Sequence, residues 1–357
     1  MPEGGSMQLD LFAAEEPPEP DPSQPRIRLR PADAPPPAAE HTASASATPP
    51  AARRRRNRTR GLSPTYLALD VAETVARVWH RARVDSRLEV PVGVVAVLSL
   101  LRQADDGPDV ADHLMTFSPE ELLDFYRRVW GLLWISRPEL VAWAYPLRGW
   151  VEEEEQSPKR LAAVHAVTHA ALETGLMELT GHPDPALRSD ADVLGFLVTE
   201  LRSRGAREAL GQVHTPPEMC DLMVRMTLSP EDIPEGAWLS EPTAGTGGIF
   251  RAAAQYLRES GRNPRAYVWA MNDLDPISAA CCAVNAVVWD LGRSVLVSCT
   301  DTLHEGDGTE RAIAERAAII ARRNELVGQA ETIAATMQAI SEVDALISRG
   351  PGQAQAS

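Results

Sequence analysis

Apolar residues show no pattern in roughly the first sixty positions, recur at helical spacing up to about residue 204, and then fall into short runs. Prolines crowd the opening stretch, at 17, 18, 20, 22, 25 and 31, then 35–37 and 49–50, among Ala, Ser, Thr and Glu. So little apolar mass cannot offset the entropy of ordering, so residues 1–62 are expected to be a disordered arm. From there the period is helical. Val71, Val75, Val78 and Trp79 share one face, as do Leu122, Phe125 and Val129, the latter in a helix that Ser118 should cap before Pro119 and Glu120. Trp130, Trp134, Trp143 and Trp150 fall among other apolar residues and read as core rather than as a base-stacking platform. Asp192 to Leu201 reads as the last helix of this part.

From Gly211 onward short apolar runs alternate with helical ones, the signature of a parallel α/β sheet. The spacing predicts strands at 237–240, 267–271 and 295–299, and helices at 248–260 and 276–291. After Thr309 the chain is helical to about 347. Leu326, Ala330, Ile333, Met337 and Ile340 recur at 4-3-4-3 spacing there, barely two heptads, which favours packing on the protein's own body over a coiled coil. The expected fold class is α/β: a partial parallel sheet preceded by a helical domain and followed by a long helix. The divisions are 1–62, 63–208, 209–308 and 309–357.

Composition narrows the setting. A hydrophobic fraction of 44% over 357 residues is ordinary for a globular chain. No apolar run approaches the roughly 18 residues of a membrane span. The start, Met1-Pro2-Glu3-Gly4-Gly5, has no signal-peptide layout, so a cytoplasmic protein is expected. Cys220, Cys281, Cys282 and Cys299 lack C-x-x-C spacing and nearby His pairs, which argues against metal and disulfides and for small core hydrophobes. A net charge of −15 excludes a general polyanion binder. Locally, however, Arg53, Arg54, Arg55, Arg56, Arg58 and Arg60 could bind phosphates, or could simply be a solvated block at the edge of the folded region. Gln8-Leu9-Asp10-Leu11-Phe12 resembles the short peptide with which bacterial proteins dock on the replicative sliding clamp. Leu11 and Phe12 would fill a pocket and the Gln8 amide would bond at its rim; a chance apolar patch is the competing reading.

The chemistry concentrates further on. Glu241-Pro242-Thr243-Ala244-Gly245-Thr246-Gly247-Gly248 joins a predicted strand to a helix, where glycines let the backbone approach a ligand. The spacing is neither G-x-G-x-x-G nor a P-loop. An acid at the strand end suits a cationic ligand such as S-adenosylmethionine, with its ammonium and sulfonium. In Asn272-Asp273-Leu274-Asp275-Pro276, Asp273 lies roughly 25 residues past the glycines, placed to accept two ribose hydroxyls. Asp275 would cap the helix that Pro276 opens. The third strand ends in Thr300-Asp301-Thr302-Leu303, where Asp301 could accept from an adenine amino group. Upstream, Thr215, Pro216 and Glu218 look like a capping box, and His214 a plain loop residue.

Taken in order, T-P, the glycine turn, N-D-x-D-P and D-T-L resemble the modification subunits of type I restriction systems and related adenine-N6 DNA methylases. That resemblance implies a Rossmann-like S-adenosylmethionine-dependent methyltransferase fold. It assigns Thr215, Glu241 and Gly245 to the methionine end of S-adenosylmethionine, with Pro242 and Gly247 in the same turn, Asp273 to the ribose and Asp301 to the adenine. Glu241 stands where the family more often has Asp. A larger departure follows: no Asn/Asp-Pro-Pro-Tyr/Phe tetrapeptide comes after Asp301, although in this family that motif handles the flipped base. The cofactor half is recognisable and the base-handling half is absent. Three readings follow: a DNA methylase component completed by a second methylase or specificity subunit, a non-catalytic accessory on DNA or the clamp, and, less favoured by the motif order, a small-molecule methyltransferase.

Overall fold

The helical period of the first half is realised as a stack of helices packed on a small sheet. The computed structural model describes residues 59, 61–84, 86–104, 107–202, 214–306 and 308–348, with side chains described up to residue 341. The peptide Gln8 to Phe12, the arginines Arg53 to Arg56, Arg58 and Arg60, and the residues 211–213 lie outside the described residues.

Helix α1 (Pro64–Ala82) opens at Ser63, whose hydroxyl accepts from Tyr66 N at 3.2 Å, and buries Val71, Val75 and Trp79. Helix α2 (Glu89–Ser99) is apolar all round and buried along almost its whole length, as a central helix must be. A Cβ on Gly93 would stand 2.0 Å from Leu147 O, so α2 can pass its neighbour only with glycine there. Helix α3 (Pro119–Ser136) starts in a complete capping box. Ser118 accepts from Glu121 N, and the Glu121 carboxylate accepts from Ser118 N. Helices α4 (Pro138–Trp143), α5 (Pro158–Thr174) and α6 (Val193–Leu201) complete the principal stack. Trp130 and Trp150 are buried, and Trp134 and Trp143 pack against the same core, as their apolar surroundings predicted.

After α7 (Pro217–Thr227) come β1 (Trp238–Glu241), α8 (Gly248–Glu259), β2 (Val268–Asn272), α9 (Pro276–Val288) and β3 (Val295–Ser298). The strands are parallel in the order β1-β2-β3, with Trp238 opposite Val268 and Trp269 opposite Val295. Every predicted strand lies within a residue or so of its expected place. β2 and β3 are buried throughout, whereas β1 is only half-buried. Both crossovers of a parallel sheet turn the same way, which sets α8 and α9 on one face. Helix α9 also packs on α2, α4 and α6. One buried core therefore runs from Leu67 to Val297, uninterrupted on either side of the boundary expected near 208.

The end of α9 is closed with care. Asp290 takes a left-handed φ of 56°, and Leu291 N reaches Ala286 O at 3.0 Å, a Schellman arrangement with aspartate in glycine's usual position. Arg265 grips the Asp290 carboxylate with two nitrogens, at 2.8 and 3.0 Å. Three guanidiniums then donate to the last carbonyls: Arg102 to Val287, Arg188 to Val288 and Arg258 to Trp289. Positive charge at a helix C-terminus also meets its dipole favourably.

Helix α10 (Thr309–Ser348) begins on the other sheet face, where Ala312 packs with Ala270 and Leu296. Its 40 residues outrun the body. The expected packing of its apolar seam is not found in the outer part, where Ile333, Met337 and Ile340 are exposed.

Candidate functional site

The glycine turn after β1 is the best-held loop of the sheet edge. Gly245 and Gly247 adopt φ of +58° and +97°, conformations that L side chains resist. The turn is tied down from several elements. Ala244 N donates to Asn272 O at 2.8 Å, Gly245 N to Asp273 Oδ2 at 2.7 Å, and Asn285 Nδ2 to Thr246 O at 2.8 Å. Asp192, the N-cap of α6, accepts from Gly195 N, pairs with Thr246 Oγ1 at 2.5 Å, and accepts from Asn285 Nδ2 at 3.0 Å. Burial pushes the Asp192 carboxyl above its usual range, against the pull of these donors.

Against this turn lies a cavity of about 320 Å³, walled by α6, the start of α7 and the start of α8. Phe196, Pro216 and Ile249 give it apolar walls, while Asp192 and Arg251 bring opposite charges to its lining. Arg251 is buried, donating to Asp221 at 2.6 Å and to Ser189 O at 3.2 Å. Nothing stands within 4 Å of where a Gly245 Cβ would be, so the backbone is approachable there.

Of the residues singled out in the sequence, Thr215 and Gly245 line this cavity. Glu241, Pro242, Gly247, Asp273 and Asp301 do not, although the first four belong to the same corner. Glu241 accepts from Thr243 N and Oγ1 at 3.2 and 3.0 Å, bracing a residue of the lining. Asp273 is a loop brace as well, accepting from Gly245 N and from Asp275 N. Burial raises the Asp273 carboxyl above its usual range, and the two amide bonds oppose that. Asp301 caps the short helix Thr302–Glu305 and holds His304 Nδ1 at 2.7 Å, a bond that lowers its pKa. The three acids do stand at consecutive C-terminal strand ends of one sheet, as predicted, but Asp301 is turned to its own helix.

Two local expectations compare differently. Asp275 caps α9 through Ser278 N and Oγ, and Arg202 donates to it at 2.7 Å. Burial alone would raise its pKa, but the Ser278 and Arg202 bonds outweigh it and hold it below the usual range. The capping box at Thr215 does not form. Pro216 is the N-cap, Pro217 opens α7, and no side chain caps the end. A residue before proline is driven out of the helical region, so in Pro216-Pro217 the first proline has to be extended.

Sequence reasoning missed Asn272, Asn285, Asp192 and Arg251 as site-builders. Asn272 is buried at the end of β2 and joins all three strand ends. Its Nδ2 donates to Pro242 O, Thr300 O and Thr302 Oγ1, and its Oδ1 accepts from Ser298 Oγ and Thr300 N. An amide closing an otherwise apolar strand was the signal available. The cysteines are thiols: burial pushes Cys220 up to about 11 and Cys281 and Cys282 well above the usual thiol range. Among the described residues no group of His, Cys, Asp or Glu could hold a metal ion, and no helix is long and apolar enough to cross a membrane.

The site is thus an α/β one: a glycine turn, a cavity with paired charges, and acids at parallel strand ends, on a three-stranded sheet compatible with a partial methyltransferase fold. Residues 191–322 match the family model described as N-6 DNA Methylase, which supports an adenine-N6 DNA methyltransferase family and a DNA methyltransferase-like function. That span opens beside Asp192 and takes in all three strands. No curated protein matches the chain.

Proposed function

We propose that the chain binds S-adenosylmethionine at the glycine turn and serves site-specific adenine-N6 methylation of DNA, in DNA methylation or restriction–modification, with a partner chain completing catalysis. One observation carries this reading: the cavity beside Gly245 joins an approachable backbone to a carboxylate and a guanidinium. An amino-acid zwitterion needs that pair of charges, Asp192 toward its ammonium and Arg251 toward its carboxylate. Thr215 and Gly245 would bound the methionine end, with Glu241, Pro242 and Gly247 shaping the turn. Asp273 would accept from the ribose while keeping Gly245 in place, and Asp301 would face the adenine if His304 released it. When bound, the cofactor supplies a methyl group made electrophilic by its sulfonium.

Titration calorimetry of the folded full-length chain with S-adenosylmethionine tests the reading. We expect binding, and Asp273→Ala should weaken it more than tenfold, about 1.4 kcal/mol. An unchanged affinity would remove Asp273 from the site, and no binding by a folded sample would remove the cofactor.

A second reading, a non-catalytic accessory on DNA or a bacterial sliding clamp that keeps the methylase architecture, draws on the missing Asn/Asp-Pro-Pro-Tyr/Phe tetrapeptide and on the Gln8 to Phe12 peptide. Loss of clamp binding on changing Leu11 and Phe12 to Ala, with no methylation under any pairing, would favour it.

A further inference from the structure

The C-terminal end of α9 gathers more positive charge than its carbonyls engage. Arg102, Arg188 and Arg265 line an open cavity of about 600 Å³, with Asp290 in its wall and Pro183 and Pro185 as an apolar side. Arg258 reaches the same helix end through Trp289 O. The charged groups that act on one another here are these four guanidiniums and two carboxylates, Asp290 and Asp184. That is a net of +2, in a chain whose net charge is −15. The cavity shares no lining residue with the one at Gly245.

A guanidinium offers five N–H donors, and the hydrogen bonds show which are engaged. Arg188 gives Nε to Val288 O and Nη1 to both His182 O and Pro183 O, at 2.7, 2.8 and 2.6 Å. Its Nη2 has no acceptor among the described residues, although the residue is only 6% exposed. Arg265 commits Nε and Nη2 to Asp290 and leaves Nη1 over. Arg102 commits Nη1 and Nη2 to carbonyls and leaves Nε over. A buried donor without an acceptor is costly, and crowded cations repel one another. Burial and the neighbouring Arg188 hold the Arg102 guanidinium down at about 10, against the pull of Asp290.

An anion in the cavity would relieve both. Its class follows from charge and donors. A net of +2 is matched by a dianion, and donors left over on three separate arginines call for an anion with several oxygens. A phosphate monoester has both, with nearly two charges and three acceptor oxygens. A carboxylate has neither, and a DNA phosphodiester carries one charge. We propose that this cavity binds the terminal phosphate of a small-molecule phosphate monoester through Arg102, Arg188 and Arg265, with Pro183 and Pro185 beside the rest of the ligand. The inference stands apart from the methylase reading.

Calorimetric titration of the full-length chain with inorganic phosphate, at about pH 8 where it is chiefly a dianion, tests it. Saturable binding is expected. Arg265→Gln should weaken binding about fivefold, and Asp290→Asn should strengthen it about threefold by removing a competing carboxylate. Asparagine tolerates the left-handed φ of position 290, so that variant keeps the helix end. A purely structural Arg265–Asp290 pair would make the two substitutions act alike. Parallel effects, no effect of either, or no binding by the parent would overturn the inference. Phenyl phosphate should compete with inorganic phosphate, and duplex DNA without terminal phosphates should not; DNA binding at this site in place of phosphate would overturn it too. Asp105 and Asp106 follow the lining residue Ala104 and lie outside the described residues. Phosphate binding that appears only once both are changed to Asn would also overturn it, since those acids would then be the anions that fill the site.

Discussion

Gly245 and Gly247 share a backbone sign and differ in surroundings. An added methyl at Gly245 meets open space, while at Gly247 it meets the Trp289 ring at 3.0 Å. Gly245→Ala should therefore cost the fold about 1 kcal/mol, the left-handed penalty alone, yet obstruct ligand approach. Gly247→Ala should cost about 2–3 kcal/mol, because strain and packing add. Urea unfolding with calorimetry on both variants separates the effects, and equal losses of stability would refute the distinction. Asp192 offers a pH test. Its folded pKa lies above the ordinary carboxylate value, so ionising it costs the folded state, and its contribution to stability falls as pH rises from the acid range. Asp192→Asn cannot titrate, and its amide oxygen still accepts from Gly195 N. The stability of the variant relative to the parent should thus improve as pH rises above the ordinary carboxylate range. A difference constant with pH would show that the carboxyl is not held neutral-favouring.

At the scale of elements, helix ends reveal how local rules work and where they stop. Ser118 and Asp275 cap as their sequence neighbours predict, because N-cap, proline at N1 and N3 partner lie within four residues of one another. The end of α9 needs residues from afar. Arg102 and Arg188 come from the helical stack and Arg258 from α8, each donating to one of the last carbonyls of the helix. Removing Arg188, which is buried, would strand Val288 O and two more carbonyls, of His182 and Pro183. We expect Arg188→Ala to destabilise by about 1.5–3 kcal/mol, read from the midpoint of urea unfolding at unchanged slope.

For the whole molecule the governing fact is a continuous core under a short sheet. Helices of the first half pack directly on α9, and Asp192 reaches from that half into the glycine turn. Nothing in the 357 residues supplies the tetrapeptide that handles a flipped adenine. Purified alone, the chain should transfer no labelled methyl from S-adenosylmethionine to DNA; incorporation above a no-protein control would refute partner dependence.

The strands, the helices, the arrest of α7 at its prolines, the glycine turn and the order of acids after each strand were all determined by the sequence itself. Periodicity, proline sterics and capping act over a few residues, and a linear reading can see that far. Pro216-Pro217 held its own answer, which a proline at both N-cap and N1 required. Only the tertiary structure decided that Asp192 meets Thr246 across 54 positions, that Asn272 fastens three strand ends, that Arg251 enters the cavity, and that Asp301 turns to His304. Those outcomes depend on which buried polar groups find partners once the core has closed, a condition that no local pattern encodes.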